Sequence, residues 1–127
     1  LLVVVPGSFD VWSLNHTLEY VNQAKELRQE RDEVLGTHRP LRSAFLRNRY
    51  VAQQNLSKQV TSLLEESGED MLESTVSARV AFAEVPAEGI GVTLYSDKKA
   101  ADEIHALANE VIADFMPQAD IKQEPAA

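Results

Sequence analysis

The chain has no cysteine, which removes disulfides, thiol nucleophiles and thiolate metal sites together. Its longest apolar run, Leu1 to Val5, falls far short of the ~20 residues that a membrane helix needs. No basic segment precedes that run, so no signal peptide is read there, and no membrane association is expected. Positive charge is scarce as well. Twelve Lys and Arg stand against 20 Asp and Glu, a net charge of -8 that argues against a nucleic-acid surface covering the whole molecule. A local basic patch stays compatible with it. His16, His38 and His105 are scattered, and none has a second ligand at metal-site spacing. His105 lies beside an apolar stripe and reads as a boundary residue. Ser8 lacks the G-x-S-x-G elbow of a hydrolase, and Gly89-x-Gly91, with no third glycine, reads as a turn. The phosphate-cradling pattern G-x-x-x-x-G-K-[ST] does not occur.

What is present is an ordinary globular composition, 44% hydrophobic and 25% charged, in a 127-residue length that suits one domain. Leu1–Val5 has no polar alternation, as in a strand buried on both faces of a parallel sheet. The chain opens inside this run without a methionine, so further sequence is expected upstream. Pro6-Gly7-Ser8 ends the strand, and Asp10 is placed to cap the next helix. Leu14, Leu18, Val21 and Leu27 form that helix's apolar stripe, and the charged stretch Lys25–Glu33 reads as its solvated face. Gly36 and Pro40 bracket a connection. Arg42–Asn48 is a second strand, and Leu56, Val60, Leu63 and Leu64 mark a second helix closed by Gly68.

Met71–Val76 is the third strand, running into Ser74–Gly89, the stretch on which the rest is organised. Arg79 opens a short helical segment there, with Val80, Phe82 and Ala83 directed to a core and Pro86 and Gly89 ending it. Val92–Tyr95 is read as a short extended segment. Ser96-Asp97 caps a last helix whose apolar positions Ile104, Leu107, Ala108, Val111, Ile112 and Phe115 fit the helical template, and Pro117 stops it. Residues 117–127 are small, polar and proline-containing, and read as a disordered tail. Strand–helix alternation of this kind predicts right-handed βαβ units in an α/β fold with a mostly parallel sheet and helices on its faces.

Asp10, Asn48 and Arg79 each follow the carboxyl end of a predicted strand, so a parallel sheet brings them to one rim, where such sheets bind ligands. Singly, each has a plainer reading. Asp10 serves as a helix cap, Asn48 as a turn residue, and Arg79 as the partner of a surface carboxylate.

Taken with their surroundings, these residues resemble the C-terminal half of a ParA-type partition ATPase, of the ParA/MinD branch of P-loop proteins. The blocks are L-L-V-V-V-P-G-S-F-D-V-W-S, then A-F-L-R-N-R, then R-V-A-F-A-E-V-P-A-E-G, the most specific of the three, and finally the helix after S-D-K-K-A-A-D-E-I. The resemblance covers Leu1 to about Phe115. It implies that residues 1–116 form the C-terminal part of a Rossmann-like P-loop NTPase domain whose P-loop half lies upstream. It further implies that Asn48 hydrogen-bonds adenine, that Ser77, Ala78 and Arg79 line the far side of the base, and that the Asp10 loop lies near the phosphates at a nucleotide-sandwiched dimer interface. The intact protein would then bind ATP and Mg2+, self-dimerise, and bind DNA without sequence preference, with Arg47, Arg49, Lys58 and Arg79 as candidate contacts. It would answer to a ParB-type partner in plasmid or chromosome partition, in the cytoplasm and on the nucleoid. Without a P-loop the chain alone is expected to be inactive.

Two other readings stand beside this one. A non-catalytic module could keep the fold and bind a protein partner through Lys25–Glu33. A receiver-like signalling domain needs an acidic cluster at its strand ends, and only Asp10 is available, so it ranks last.

Overall fold

A parallel sheet needs cover on both faces, and this chain provides it with helices that alternate with its strands. The computed structural model describes residues 1–116, and of residues 8–11 the backbone alone. The tail expected to be disordered, 117–127, lies outside the described residues. In chain order the elements are β1 (Leu2–Val4), α1 (Ser8–Leu35), β2 (Ala44–Tyr50), α2 (Asn55–Glu66), β3 (Asp70–Ser77), α3 (Ala81–Glu88), a 3-10 turn at Val92–Leu94, and α4 (Lys98–Phe115). The sheet is three-stranded in the order β1-β2-β3, and both ladders are parallel. This mixed α/β arrangement is compatible with a Rossmann-like fold.

The side-chain period of two along β2 divides the core. Phe45, fully buried, meets Val4 of β1, Leu14 of α1, and Val60 and Leu64 of α2 on one face. Ala44 and Leu46 join Leu72 and Val76 of β3 on the other face, against Phe82 of α3 and Ile104, Leu107, Val111 and Phe115 of α4. Helices α1 and α2 both pack on Phe45 and so lie on the same face, as two crossovers of one hand along a sheet ordered β1-β2-β3 require. The chain beyond β3 covers the opposite one.

Several local expectations change. Helix α1 begins at Ser8 with Gly7 as its N-cap and no side-chain cap bond, so Asp10 lies inside the first turn and is not the cap. Leu27 is 65% exposed. It lies six residues beyond Val21, about 240° round the helix at 100° per residue, whereas Lys25 and Asp32 continue the line of Leu14, Leu18 and Val21. The charged stretch is therefore only partly a solvated face. Lys25 reaches Glu69, and the Asp32 carboxylate accepts from the Arg39 N–H (2.5 Å) and the Thr37 hydroxyl (2.8 Å). Those two bonds, the Arg39 amide first, hold Asp32 below the usual carboxylate range.

In α3 the buried residues are Ala81 and Val85, whereas Val80 is 71% exposed and Ala83 is exposed. Pro86 lies within this helix. It denies one donor to the carbonyl a turn earlier, and the helix closes instead at Gly89, which takes φ 67. Val92–Tyr95 is not extended. The Leu94 and Tyr95 amides bond back to Gly91 and Val92, closing a 3-10 turn, and no fourth strand forms among the described residues. Asp97 caps α4 as expected, its carboxylate accepting from the Ala100 N–H at 3.1 Å. β1 departs from the expectation of cover on both faces: Val3, level with Leu46 on the α4 side, is 57% exposed because α4 packs over β2 and β3.

Candidate functional site

The carboxyl ends of all three strands lie at one rim, and a cavity of about 860 Å³ opens there on the α4 face. Its polar lining comes from Asn48 and Arg49 of β2, from Ser77 at the end of β3, and from Arg79 just beyond it. Ala78, Phe82, Leu107 and Val3 complete much of the apolar wall. Four of the five residues expected to hold a nucleotide, Asn48, Ser77, Ala78 and Arg79, thus line a single cavity. Asp10 follows β1 at the same end of the sheet, in the first turn of α1; its side chain lies outside the described residues.

The local backbone explains how Asn48 and Arg49 come to face this space. β2 runs on to Tyr50, past the Asn48 at which it was expected to end, and it carries an extra residue where Asn48 pairs with Val76 but Tyr50 with Ser77. The bulged residue is Arg49, in the left-handed region at φ 51. Bulges of this kind bend the strand and re-aim side chains. The Arg49 amide donates to Asn48 Oδ1 at 3.0 Å, and the Ala78 amide donates to the Tyr50 carbonyl at 3.1 Å, so the ladder continues into the loop.

Glu103 of α4 holds two of the lining residues from behind, Ser77 and Arg79. Its Oε1 accepts from the Ser77 hydroxyl (2.6 Å) and from Arg79 Nη2 (2.8 Å), and its Oε2 accepts from the Ser77 N–H (3.1 Å). Burial pushes the Glu103 carboxyl up, but the bonds from Arg79 and Ser77 outweigh that and hold it below its ordinary value. Arg79 Nε is buried with no hydrogen-bond acceptor among the described residues. Two turns along α4, Glu110 accepts from the Glu73 N–H (2.7 Å) and the Ser74 N–H (2.8 Å), where β3 bulges. Arg47 Nη2 reaches the Leu72 and Glu73 carbonyls of the same bulge at 3.3 and 3.2 Å, and its guanidinium lies over the Tyr50 ring.

These contacts sort the four residues named as DNA contacts. Arg47 and Arg79 are engaged with the protein itself, whereas Arg49 at the cavity rim and Lys58 on α2, which packs on the opposite face, are exposed. Sequence reasoning missed Glu103 and Glu110. A signal was present, since each immediately precedes a core-facing residue of α4, Ile104 and Val111, and a carboxylate at the border of an apolar stripe needs partners. Among the described residues no cluster of His, Asp and Glu could hold a metal ion, and no helix is long and apolar enough to cross a membrane.

No family model matches the chain. Among curated proteins it is 25% identical to "Maintenance of carboxysome distribution protein A" of Halothiobacillus neapolitanus (strain ATCC 23641 / c2), over 114 residues. That match takes in 88% of this chain and 48% of the relative, so the chain spans about half the length of the protein it matches. A distant ParA-like relationship is what this similarity supports.

Proposed function

We propose that this chain supplies the adenine-reading rim and a dimerisation surface of a ParA-like ATPase. The observation that supports this reading is the gathering of Asn48, Ser77, Ala78 and Arg79 around one cavity at the carboxyl ends of parallel strands. The residues suit a purine. Asn48 offers a carboxamide with both an acceptor and donors, as the N6 and ring-nitrogen edge of adenine requires. Leu46, Val76, Phe82 and Leu107 offer apolar surface for the ring faces, in a cavity of the size that small ligands occupy. The triphosphate and Mg2+ would be held chiefly by groups beyond these residues, because no Walker A pattern is present in the chain. In the intact protein, ATP-dependent dimerisation would expose a surface for nonspecific DNA binding and for a ParB-type partner, on the nucleoid. The cargo would be a plasmid, a chromosome or a large protein body. The relative's name, which refers to carboxysome distribution, favours the last.

Titration calorimetry of the full-length protein with ATP and GTP tests the base assignment. Asn48→Ala should weaken ATP by up to about tenfold, the value of one neutral hydrogen bond, and GTP by less. Equal losses for both nucleotides would remove Asn48 from base recognition.

A second reading, a non-catalytic module that docks a protein through α1, has its own support. Leu27, within the charged stretch, and Val34, just after it, are exposed on the helix side turned away from the core. Leu27→Glu with Val34→Glu should then abolish partner binding and leave nucleotide affinity unchanged. On the nucleotide reading that double variant is neutral for ATP-dependent behaviour.

A further inference from the structure

We infer that Glu103 is the positioning residue of the cavity, acting on the ligand through Ser77 and Arg79. This rests on the nucleotide reading above. Ser77 is the last residue of β3, opposite Tyr50 of β2, and Arg79 stands two residues beyond it, where the chain leaves the sheet. A single carboxylate on α4 fixes both, taking the Ser77 amide, the Ser77 hydroxyl and the Arg79 guanidinium at 3.1, 2.6 and 2.8 Å. Its two oxygens divide the work: Oε2 orients the backbone, while Oε1 sets the hydroxyl rotor and the guanidinium together.

The arrangement has physical consequences for a ligand. With its proton directed to Glu103, the Ser77 hydroxyl presents its lone pairs to the cavity and acts there as an acceptor. Such an acceptor suits an exocyclic amino group and disfavours a carbonyl oxygen at the same place. Arg79, held at 27% side-chain exposure with Nε buried and unbonded among the described residues, is kept in a pose that free rotation would not favour. Glu103 is itself on a rigid element, between the Asp97 cap of α4 and the Ile104 and Leu107 packing that anchors the helix to the sheet. Preorganisation of this kind lowers the ordering cost of binding.

The test is a double-mutant cycle in the full-length protein, read by calorimetry with ATP and GTP. Glu103→Ala should weaken ATP about tenfold and reduce the ATP-over-GTP preference. Glu103→Gln, which keeps one acceptor oxygen and the shape, should recover part of that loss. In the background of Ser77→Ala with Arg79→Ala, Glu103→Ala should have a much smaller further effect, because both side-chain partners are gone and only the Ser77 amide remains. Additive losses, or an unchanged ATP preference in Glu103→Ala, would overturn the proposal. Hydrogen exchange of the ligand-free protein separates the two ideas. The Ser77 amide should exchange faster in Glu103→Ala than in the parent, and if it does not, Glu103 does not position the loop. A parent protein that shows the protected Ser77 amide but binds neither ATP nor GTP would overturn the nucleotide reading, and with it the role given to Glu103.

Discussion

Lys25, in the middle of α1, and Glu69, just ahead of β3, meet through two contacts of 2.9 and 3.0 Å although they stand 44 residues apart in the chain. The Ser43 hydroxyl donates to the same carboxylate at 2.6 Å, so the helix, the entry to β2 and the entry to β3 are joined at one point. Glu69 is well covered, with 12% of its side chain exposed. Its removal breaks three bonds, all of them charge-assisted. Glu69→Ala should therefore destabilise the fold by about 2 kcal/mol, and Lys25→Met by about 1 kcal/mol, because the methionine keeps the aliphatic packing. Urea unfolding at constant slope measures both. Losses under about 0.3 kcal/mol would reduce the pair to a surface contact.

The bulge at Arg49 makes a prediction of opposite sign. An L-residue in the left-handed region costs roughly 1–2 kcal/mol, and glycine escapes that cost while losing some chain entropy. Arg49→Gly should stabilise the protein by about 0.5–1 kcal/mol, and Arg49→Val should destabilise it by at least about 1 kcal/mol. Denaturant midpoints decide this. A destabilised glycine variant would mean that the Arg49 side chain contributes more than its backbone costs.

The same side chain separates two roles among the basic residues. If the intact protein binds DNA nonspecifically, Arg49→Ala should flatten the dependence of log K on log salt by about 0.9, the contribution of one phosphate contact. Arg79→Ala should leave that slope unchanged and lower ATP affinity, because Glu103 holds its guanidinium at the cavity. Fluorescence anisotropy across a salt series reads the slopes, and a flattened slope for Arg79→Ala would move Arg79 to the DNA surface.

Acid should weaken the fold within a defined window. Glu69 is held low chiefly by the Ser43 hydroxyl. Glu103 and Glu110 are raised by burial but lowered further by their hydrogen bonds, so all three lie below the ordinary glutamate value of 4.5. A carboxylate with a depressed folded value contributes stability that is present above its unfolded value and is lost as pH falls through the folded one. These three should leave stability unchanged between about pH 7 and about pH 5.5, then withdraw it progressively below pH 4.5. Glu110→Gln should remove part of the acid slope. Urea midpoints from neutral to acid pH test this, and an unaltered slope in that variant would count against the bonds to Glu73 and Ser74.

The 127-residue chain by itself should not hydrolyse ATP, and it should self-associate. Phosphoryl transfer needs phosphate-cradling amides, a lysine and bound magnesium, and the cradling motif is missing from this sequence. β1 pairs only with β2 among the described residues, and Val3 is exposed beside that open edge. Light scattering should show oligomers that Val3→Lys reduces. A monodisperse parent chain with magnesium-dependent ATPase activity would overturn both expectations.

Apart from Val92–Tyr95, expected extended but closed into a 3-10 turn, the order and kind of the elements were legible along the chain because the features that specify them are local. The apolar spacing of α4, the Asp97 cap and the glycines that end α1 and α3 each act within a turn or two. Strand–helix alternation was enough to predict a parallel sheet, and parallel pairing was enough to place Asn48 and Arg79 on one rim. That inference needed only strand direction. Which groups hold those residues was decided by packing. Glu103 meets Arg79 across 24 residues, Glu110 meets Ser74 across 36, and Lys25 meets Glu69 across 44, and no spacing rule reaches that far. The bulge at Arg49 likewise follows from the register between β2 and β3, a property of two strands together. Tertiary structure also decided the fate of the charges: a carboxylate or guanidinium at the border of the core must find a partner or remain solvated, and only the folded arrangement determines which partner lies within reach.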